Sequence, residues 1–356
     1  MIEELEALVL MESPSADEQA TERAARLVDD LFLTHLGSRG QWLTDGGRGH
    51  LLWSGGGPVQ VLLLGHVDTV WPTGTTARWP FAVCDGRATG PGAFDMKAGL
   101  VQGIRALTQV DDLTGVAFLV TTDEEVGSPT SRALIERTVR GARAALVLEP
   151  SADGALKSAR KGVSVYSLVV HGRAAHAGLE PERGANAGIE LAIQVLQVLE
   201  LADATRGTTV TPTTLSAGTT TNTVPAQARV AIDVRAAEPD EQARVDVALR
   251  ALVARTPGTT LELQGGPNRP PMPASASAEL VAQARRIAAE LGLAPLADVT
   301  VGGGSDGNFT AGMGVATLDG LGAVGDGAHA EGEHVVVAAM PQRAALVGRL
   351  VRELLS

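Results

Sequence analysis

Residues 61–68 read Val-Leu-Leu-Leu-Gly-His-Val-Asp. A short, fully apolar run that ends at a glycine reads as a strand buried on both faces. Two more runs of the same kind come later, Val116 to Val120 and Ala144 to Leu148. Helical patterns lie between them, around Gly99 to Val110 and Ser131 to Arg140. Strands that alternate with helices predict an α/β fold with a mostly parallel sheet and flanking helices.

The residues just past each buried run decide the chemistry. Gly65-His66-Val67-Asp68 closes the first, Asp123-Glu124-Glu125 the second and Glu149 the third. Open α/β sheets build their sites outside the carboxyl ends of the strands, so three strand ends deliver imidazole and carboxylate groups to one rim. Asp95, in GPGAFDMKAG, precedes a helix and can join them. Taken singly, each element has a plain structural reading. A lone His-x-Asp is usually a satisfied polar pair, and an acidic triplet is usually a solvated turn. Together they crowd carboxylates that repel one another unless a cation lies among them. Histidine and carboxylates without sulfur suit zinc, and also cobalt or manganese. His66 and Asp68 stand two apart on an extended segment, so Asp68 can hold the second ring nitrogen of His66. Glu124 and Glu125 are neighbours whose side chains diverge, so one can bind metal while the other serves as a base.

Composition narrows the field. The chain has 356 residues, enough to suggest two domains. It is 44% hydrophobic, 20% charged and 3% aromatic, with a net charge of −12. That charge repels a polyanion, and few aromatics are available for base stacking, so nucleic acid is not an expected partner. One cysteine, Cys84, allows no intrachain disulfide and no thiolate metal cage. The N-terminal stretch has neither a basic leader nor a long apolar segment, so a cytoplasmic protein without a membrane partner is expected. Ser15 with Glu18 makes a capping-box pattern ahead of a helix from about Ala16 to Leu33.

The pattern changes after about Lys161. Strands are expected near Val163–Val170, Thr208–Leu215, Val224–Val234 and Thr259–Leu263. Helices are expected near Ala185–Leu201 and Glu241–Arg255. This β-α-β-β-α-β order is the ferredoxin-like unit. Gly265 to Pro273 reads as a linker back to α/β patterning, which ends in helices near Ala278–Leu291 and Pro341–Leu355. The expected organisation is a discontinuous metal-binding domain, 1–160 and 266–356, with an inserted domain at 161–265.

GHVDTVWPTGT, GPGAFDMKAG, TTDEEVGS, LVLEPS and GAHAEGE are similar, in order and approximate spacing, to motifs of the co-catalytic two-zinc exopeptidases. That family contains aminoacylase, acetylornithine deacetylase, succinyl-diaminopimelate desuccinylase and bacterial glutamate carboxypeptidase. ARKGVSVYSLVVHGRAAHAG most resembles the glutamate carboxypeptidase branch. The resemblance implies two zinc ions per subunit, with cobalt or manganese as alternatives. Asp95 would bridge them, His66 and Glu149 would complete one site, and Glu125 and His329 the other. It implies Glu124 as general base, Asp68 as the group that orients His66, and a cis peptide bond after Asp95.

The inserted domain resembles the family's lid and dimerisation domain, which implies a homodimer. His176 resembles a histidine that reaches the partner subunit's site and steadies an oxyanion. Asn222, Arg235, Arg269 and the loop residues Gly303, Gly304 and Ser305 match positions that contact substrate. Arg269 matches an arginine that receives a substrate carboxylate, a task suited to a planar fork.

The implied reaction is hydrolysis of an amide, by a water activated between the cations, in an acyl-amino-acid or peptide substrate. It releases a C-terminal amino acid with a free carboxylate. An N-acyl-amino-acid deacylase is the alternative within the class. A two-metal phosphoesterase and a retired, non-catalytic hydrolase fold are the readings outside it.

Overall fold

The computed structural model describes residues 1–356. The chain forms two compact units. One comprises Met1–Ala159, Pro273–Val301 and Ser305–Ser356, the other Arg160–Met272 and Gly302–Gly304.

The first unit is built on a six-stranded sheet. Its spatial order is 41–45, 48–54, 116–121, 61–66, 144–147, 316–318. The last three pairings are parallel and the first two antiparallel. The three apolar runs are adjacent central strands, each without exposed residues. Their alternation feeds two cores. Val61, Leu63, Phe118, Val120 and Leu146 pack into one, with the helices Glu18–Leu36, Ala98–Leu107, Ala278–Glu290 and Ala339–Leu355. Leu62, Leu64, Leu119, Ala145 and Val147 pack into the other, with Leu134, Ile135 and Phe309. Burying both faces explains why these strands read as unbroken apolar runs instead of alternating ones.

Gly99 lies on the first turn of the 98–107 helix, where a Cβ would stand 2.1 Å from the carbonyl oxygen of Leu148. Its missing side chain lets that helix close on the strand end that carries Glu149.

In the second unit the strands 209–217, 227–236, 162–171 and 260–269 lie side by side in that order, all antiparallel. Helices Ala187–Leu199 and Pro239–Arg250 join them in the ferredoxin-like connectivity. The helices pack on one face of the sheet, over Tyr166, Leu168, Val170, Val230, Ile232 and Val234.

Two local expectations are corrected. The first long helix is capped by Asp17, whose carboxylate accepts from Ala20 N at 3.0 Å, and not by Ser15. The Ser15 hydroxyl donates instead to Asp68 at 2.7 Å, so a tertiary carboxylate outcompetes the local cap. Gly265–Arg269, expected as part of a linker, continues the strand 260–269, with a register shift between Pro267 and Arg269. Proline is tolerated there because 260–269 is an edge strand of its sheet. No helix is long and apolar enough to cross a membrane.

Candidate active site

Two adjacent parallel strands end side by side, with His66 paired to Thr121. The chain beyond these two ends and beyond Val147 supplies most of the site. His66 is buried at the last position of its strand. Its Nε2 stands 3.3 Å from Asp95 Oδ1 and 3.4 Å from Glu149 Oε1. His329 Nε2 stands 3.5 Å from Asp95 Oδ2 and 3.1 Å from Glu125 Oε2. Asp95 thus turns one carboxylate oxygen to each imidazole. Glu124 offers an oxygen within 4.8 Å of the ligand atoms of His66 and Glu149.

These spacings can be tested against a metal. Two nitrogen or oxygen ligands on one tetrahedral zinc at about 2.0–2.1 Å lie roughly 3.3 Å apart. The four contacts of His66 and His329 match that edge. Asp95 Oδ1 is buried and accepts no hydrogen bond, an acceptor left open for a cation. A set of two imidazoles and three carboxylates, without sulfur, fits zinc or a harder divalent ion.

The electrostatics agree. Burial opposes a charge on His66, but the facing carboxylates of Asp68, Asp95 and Glu149 push its pKa well above the ordinary value. Hydrogen bonding to Asp95, then to Glu125, raises His329 to about 10. Asp95 is held far below the usual carboxylate range. Its burial works against this, and His329 and His66 outweigh it. The cluster therefore attracts positive charge strongly.

The supporting residues are more specific than their spacing suggests. His66 Nδ1 lies 3.0 Å from the backbone carbonyl of Asp68 and 3.5 Å from its carboxylate, so the nearer acceptor is the carbonyl. The carboxylate, besides facing His66, is also engaged elsewhere. It accepts from Ser15 Oγ at 2.7 Å and from the backbone N–H groups of Glu124 and Glu125, both at 3.2 Å. Asp68 therefore ties the end of one strand to the turn that carries the two glutamates. Asp123, the first acid of the triplet, is buried and turned away. It accepts from the hydroxyls of Thr130 and Ser131 at 2.7 and 2.5 Å. The Asp95–Met96 peptide is cis, and His329 has φ 62°, a left-handed conformation that side chains other than glycine adopt reluctantly.

Glu333 is a site residue that sequence reasoning missed. It is fully buried. Its carboxylate accepts from the backbone N–H groups of Gly92 (3.0 Å), Phe94 (2.8 Å) and Asp95 (2.8 Å), and from Trp71 Nε1 (2.9 Å). It is the last residue of GAHAEGE, four positions after His329. A glutamate inside a motif already read as metal-ligating was the available signal.

The remaining expected residues divide between the units. In the second, His176 and Asn222 are on neighbouring segments and both are exposed. Ala177 N donates to Asn222 O at 2.9 Å, and His176 bridges to Thr223. Arg235 makes a two-pronged ion pair with Asp233, both contacts at 2.9 Å. Arg269 is buried at the end of its strand. Arg160 donates to Gly303 O at 3.1 Å and, at 3.5 Å, to Gly304 O. Ser305 belongs to the first unit and is fully buried. Its hydroxyl donates to Asp319 at 2.6 Å and accepts from Gly307 N at 3.1 Å.

Residues 62–353 match the peptidase family M20/M25/M40. The chain belongs to this family. It is 30% identical over 372 aligned positions to carboxypeptidase G2 of Pseudomonas sp. (strain RS-16), covering 99% of this chain and 89% of that protein. It is 31% identical to succinyl-diaminopimelate desuccinylase of Methylorubrum populi, covering 84% and 83% of the two chains. Among solved structures, the M20 family metallo-carboxypeptidase Sso-CP2 of Sulfolobus solfataricus shares the fold, with TM-score 0.77, 16% identity and 99% coverage of both chains. The chain is a hydrolase of the metallopeptidase type, and its reaction is metal-dependent amide hydrolysis.

Proposed function

We propose that this protein is a dinuclear metallocarboxypeptidase that cleaves the amide holding a C-terminal amino acid with a free α-carboxylate. One observation carries the reading: Asp95 presents its two oxygens separately to His66 and His329, each of which faces a second carboxylate. His66, Asp95 and Glu149 would hold one ion and His329, Asp95 and Glu125 the other. A bound pair of divalent ions supplies Lewis acidity, which acidifies a water and polarises the scissile carbonyl.

The chain's own residues do the rest. Glu124, outside both ligand sets yet beside His66 and Glu149, takes the proton of the attacking water and returns it to the leaving nitrogen. Asp68 fixes the turn that aims Glu124. His176 donates to the developing oxyanion, and Arg269, Asn222, Arg235 and the backbone of Gly303 and Gly304 receive the substrate's carboxylate end. The likeness to carboxypeptidase G2 across nearly the whole chain supports glutamate or a similar residue as the leaving group.

The second unit serves as lid and dimerisation domain in this reading. Its helix 187–199 carries Ile189, Leu196 and Leu199 on an open face, 56%, 66% and 46% exposed, and the edge strand 209–217 is exposed along most of its length. A second copy laid against that helix and edge would cover both.

The test is product analysis by mass spectrometry on a library of N-acyl amino acids and short peptides, with metal content measured on the same preparation. Two equivalents of divalent metal and release of a C-terminal amino acid are expected. Fewer than one equivalent in a fully active preparation, or activity that survives exhaustive chelation, defeats the proposal.

A further inference from the structure

A crevice of about 520 Å³ opens beside Glu125 in the first unit. Its walls are three segments: Pro14–Asp17, Thr69–Thr73 and Glu125–Val126. They are joined at one corner. Ser15 N donates to Thr69 O at 3.0 Å, Thr69 N donates to Ser13 O at 2.8 Å, and Asp68 holds the backbone of Glu125. The crevice is therefore preformed. Its volume falls in the range of about 300–1,000 Å³ usual for small-molecule sites.

The open lining is mostly apolar, with Thr73 as its exposed hydroxyl. Val70 and Val126 are 44% and 54% exposed, and Pro14, Ala16 and Pro72 complete the surface. Val126 directly follows Glu125, and Val70 lies two residues after Asp68, so both valines flank the reacting centre along the chain. Two of the polar groups are committed. Ser15 Oγ is given to Asp68, and Asp17 caps a helix. No lysine, arginine or histidine lines the crevice, and its two charged residues, Asp17 and Glu125, are acidic.

We infer that this crevice receives the acyl half of the substrate and selects acyl groups that are uncharged and apolar. The inference rests on the amide-hydrolase reading of the site and narrows its substrate class. The carboxylate end of the substrate finds no basic side chain here and is assigned to Arg269, so the opposite end occupies the crevice. A dicarboxylic acyl group such as succinyl would bring its own anion against apolar walls and beside Asp17, with no basic side chain in the crevice to pair it. A straight-chain or aromatic acyl group would instead cover Val70 and Val126.

The experiment is a kcat/KM series on N-acetyl, N-hexanoyl, N-benzoyl and N-succinyl derivatives of one amino acid, glutamate in one set and alanine in another, with wild type and V70K. Hexanoyl or benzoyl is expected to exceed both acetyl and succinyl by roughly tenfold or more, the scale on which an apolar pocket discriminates. V70K places an ammonium in the crevice and should move the succinyl-to-hexanoyl ratio toward succinyl by at least about tenfold. A succinyl preference in wild type, equal rates for all four acyl groups, or a ratio unmoved in V70K overturns the inference. A metal-loaded enzyme that hydrolyses none of them defeats the functional reading instead. The crevice is then judged by NMR titration with N-methylhexanamide, which carries the acyl side alone. Tighter binding than N-methylacetamide, weakened in V70K, sustains it; equal binding of the two amides ends it.

Discussion

The two units place most of their candidate functional groups in opposite ways, the exceptions being His329, exposed in the first, and Arg269, buried in the second. In the first, His66, Asp68, Glu124 and Glu149 are buried, and each lies at or just past the end of a strand whose two faces are packed. Their positions are set several times over. Asp68 alone engages Ser15, Glu124, Glu125 and His66. In the second, His176 and Asn222 sit on loops at the surface, and an apolar helix face is left open to solvent. The difference is between groups held in place by their own unit's hydrogen bonds and groups left at a surface. Ligands of a metal pair need the first kind of support, because an error of a fraction of an ångström is an error in a coordination bond. Groups that close over a substrate need freedom to move.

The comparison is broken most directly at Glu124. Glu124→Gln keeps the shape and removes the base, so turnover should fall about 10²–10⁴-fold with metal content unchanged. Activity within tenfold of wild type would mean that the buried site does not do the chemistry as proposed. The second unit is tested next. His176→Ala should lower kcat about 10²–10³-fold if the imidazole donates to the oxyanion. Mixing E124Q with H176A sharpens this test. If each site borrows His176 from a second copy, the hybrid holds one intact site and activity returns to about a quarter of wild type after subunit exchange. No recovery, in a mixture shown to exchange, would return His176 to its own subunit or to the surface.

Glu333 lies between these extremes. It touches no proposed ligand atom, only the backbone N–H groups that present Asp95 and the Trp71 indole, and burial raises its pKa to about 6. Glu333→Gln keeps the shape but replaces one strong acceptor with an amide nitrogen that must face N–H donors. A loss of about 10–100-fold in metal affinity, with the fold intact by circular dichroism, is expected for a group acting through another. A normal metal affinity would reduce Glu333 to loop packing.

Much of this division was legible in the sequence, for physical reasons. Unbroken apolar runs ending in Gly65-His66-Val67-Asp68 and in Asp123-Glu124-Glu125 fix strand, strand end and functional group within a few residues, because a sheet buried on both faces leaves no other reading. The alternation of strands and helices after Lys161 likewise pointed to the ferredoxin-like connectivity. Partner choice among polar groups could not be read. Ser15 was free to cap its own helix and bonds Asp68 instead. Asp123 carries the same carboxylate as its two neighbours and faces the other way. Glu333 spends its oxygens on a loop more than two hundred residues earlier in the chain. Such choices depend on where distant backbone N–H groups point, and local pattern carries no record of that. Gly265–Arg269 failed differently. Its glycines and proline are loop residues by propensity, and pairing with the strand 162–171 overrides them.

The smallest expected effect concerns the second unit's helix 239–250, where Glu241 is fully buried in the first turn. It accepts from Arg244 at 2.7 and 2.9 Å and from Thr208 at 2.6 Å, and pairs with Arg206. Hydrogen bonding to Arg244, then to Thr208, lowers its pKa from 4.5 to about 2. A carboxyl group whose folded pKa lies below its unfolded value binds fewer protons folded than unfolded. Its stabilisation is therefore complete above pH 4.5 and is lost as pH falls from 4.5 toward 2. Glu241→Gln should lower the unfolding midpoint at pH 7, and the gap from wild type should close as pH falls through that window. The measurement is a pair of thermal unfolding series from about pH 7 to about pH 3, monitored by circular dichroism. A gap that stays constant with pH would mean that the carboxylate's charge contributes nothing and that the residue holds the helix by packing alone.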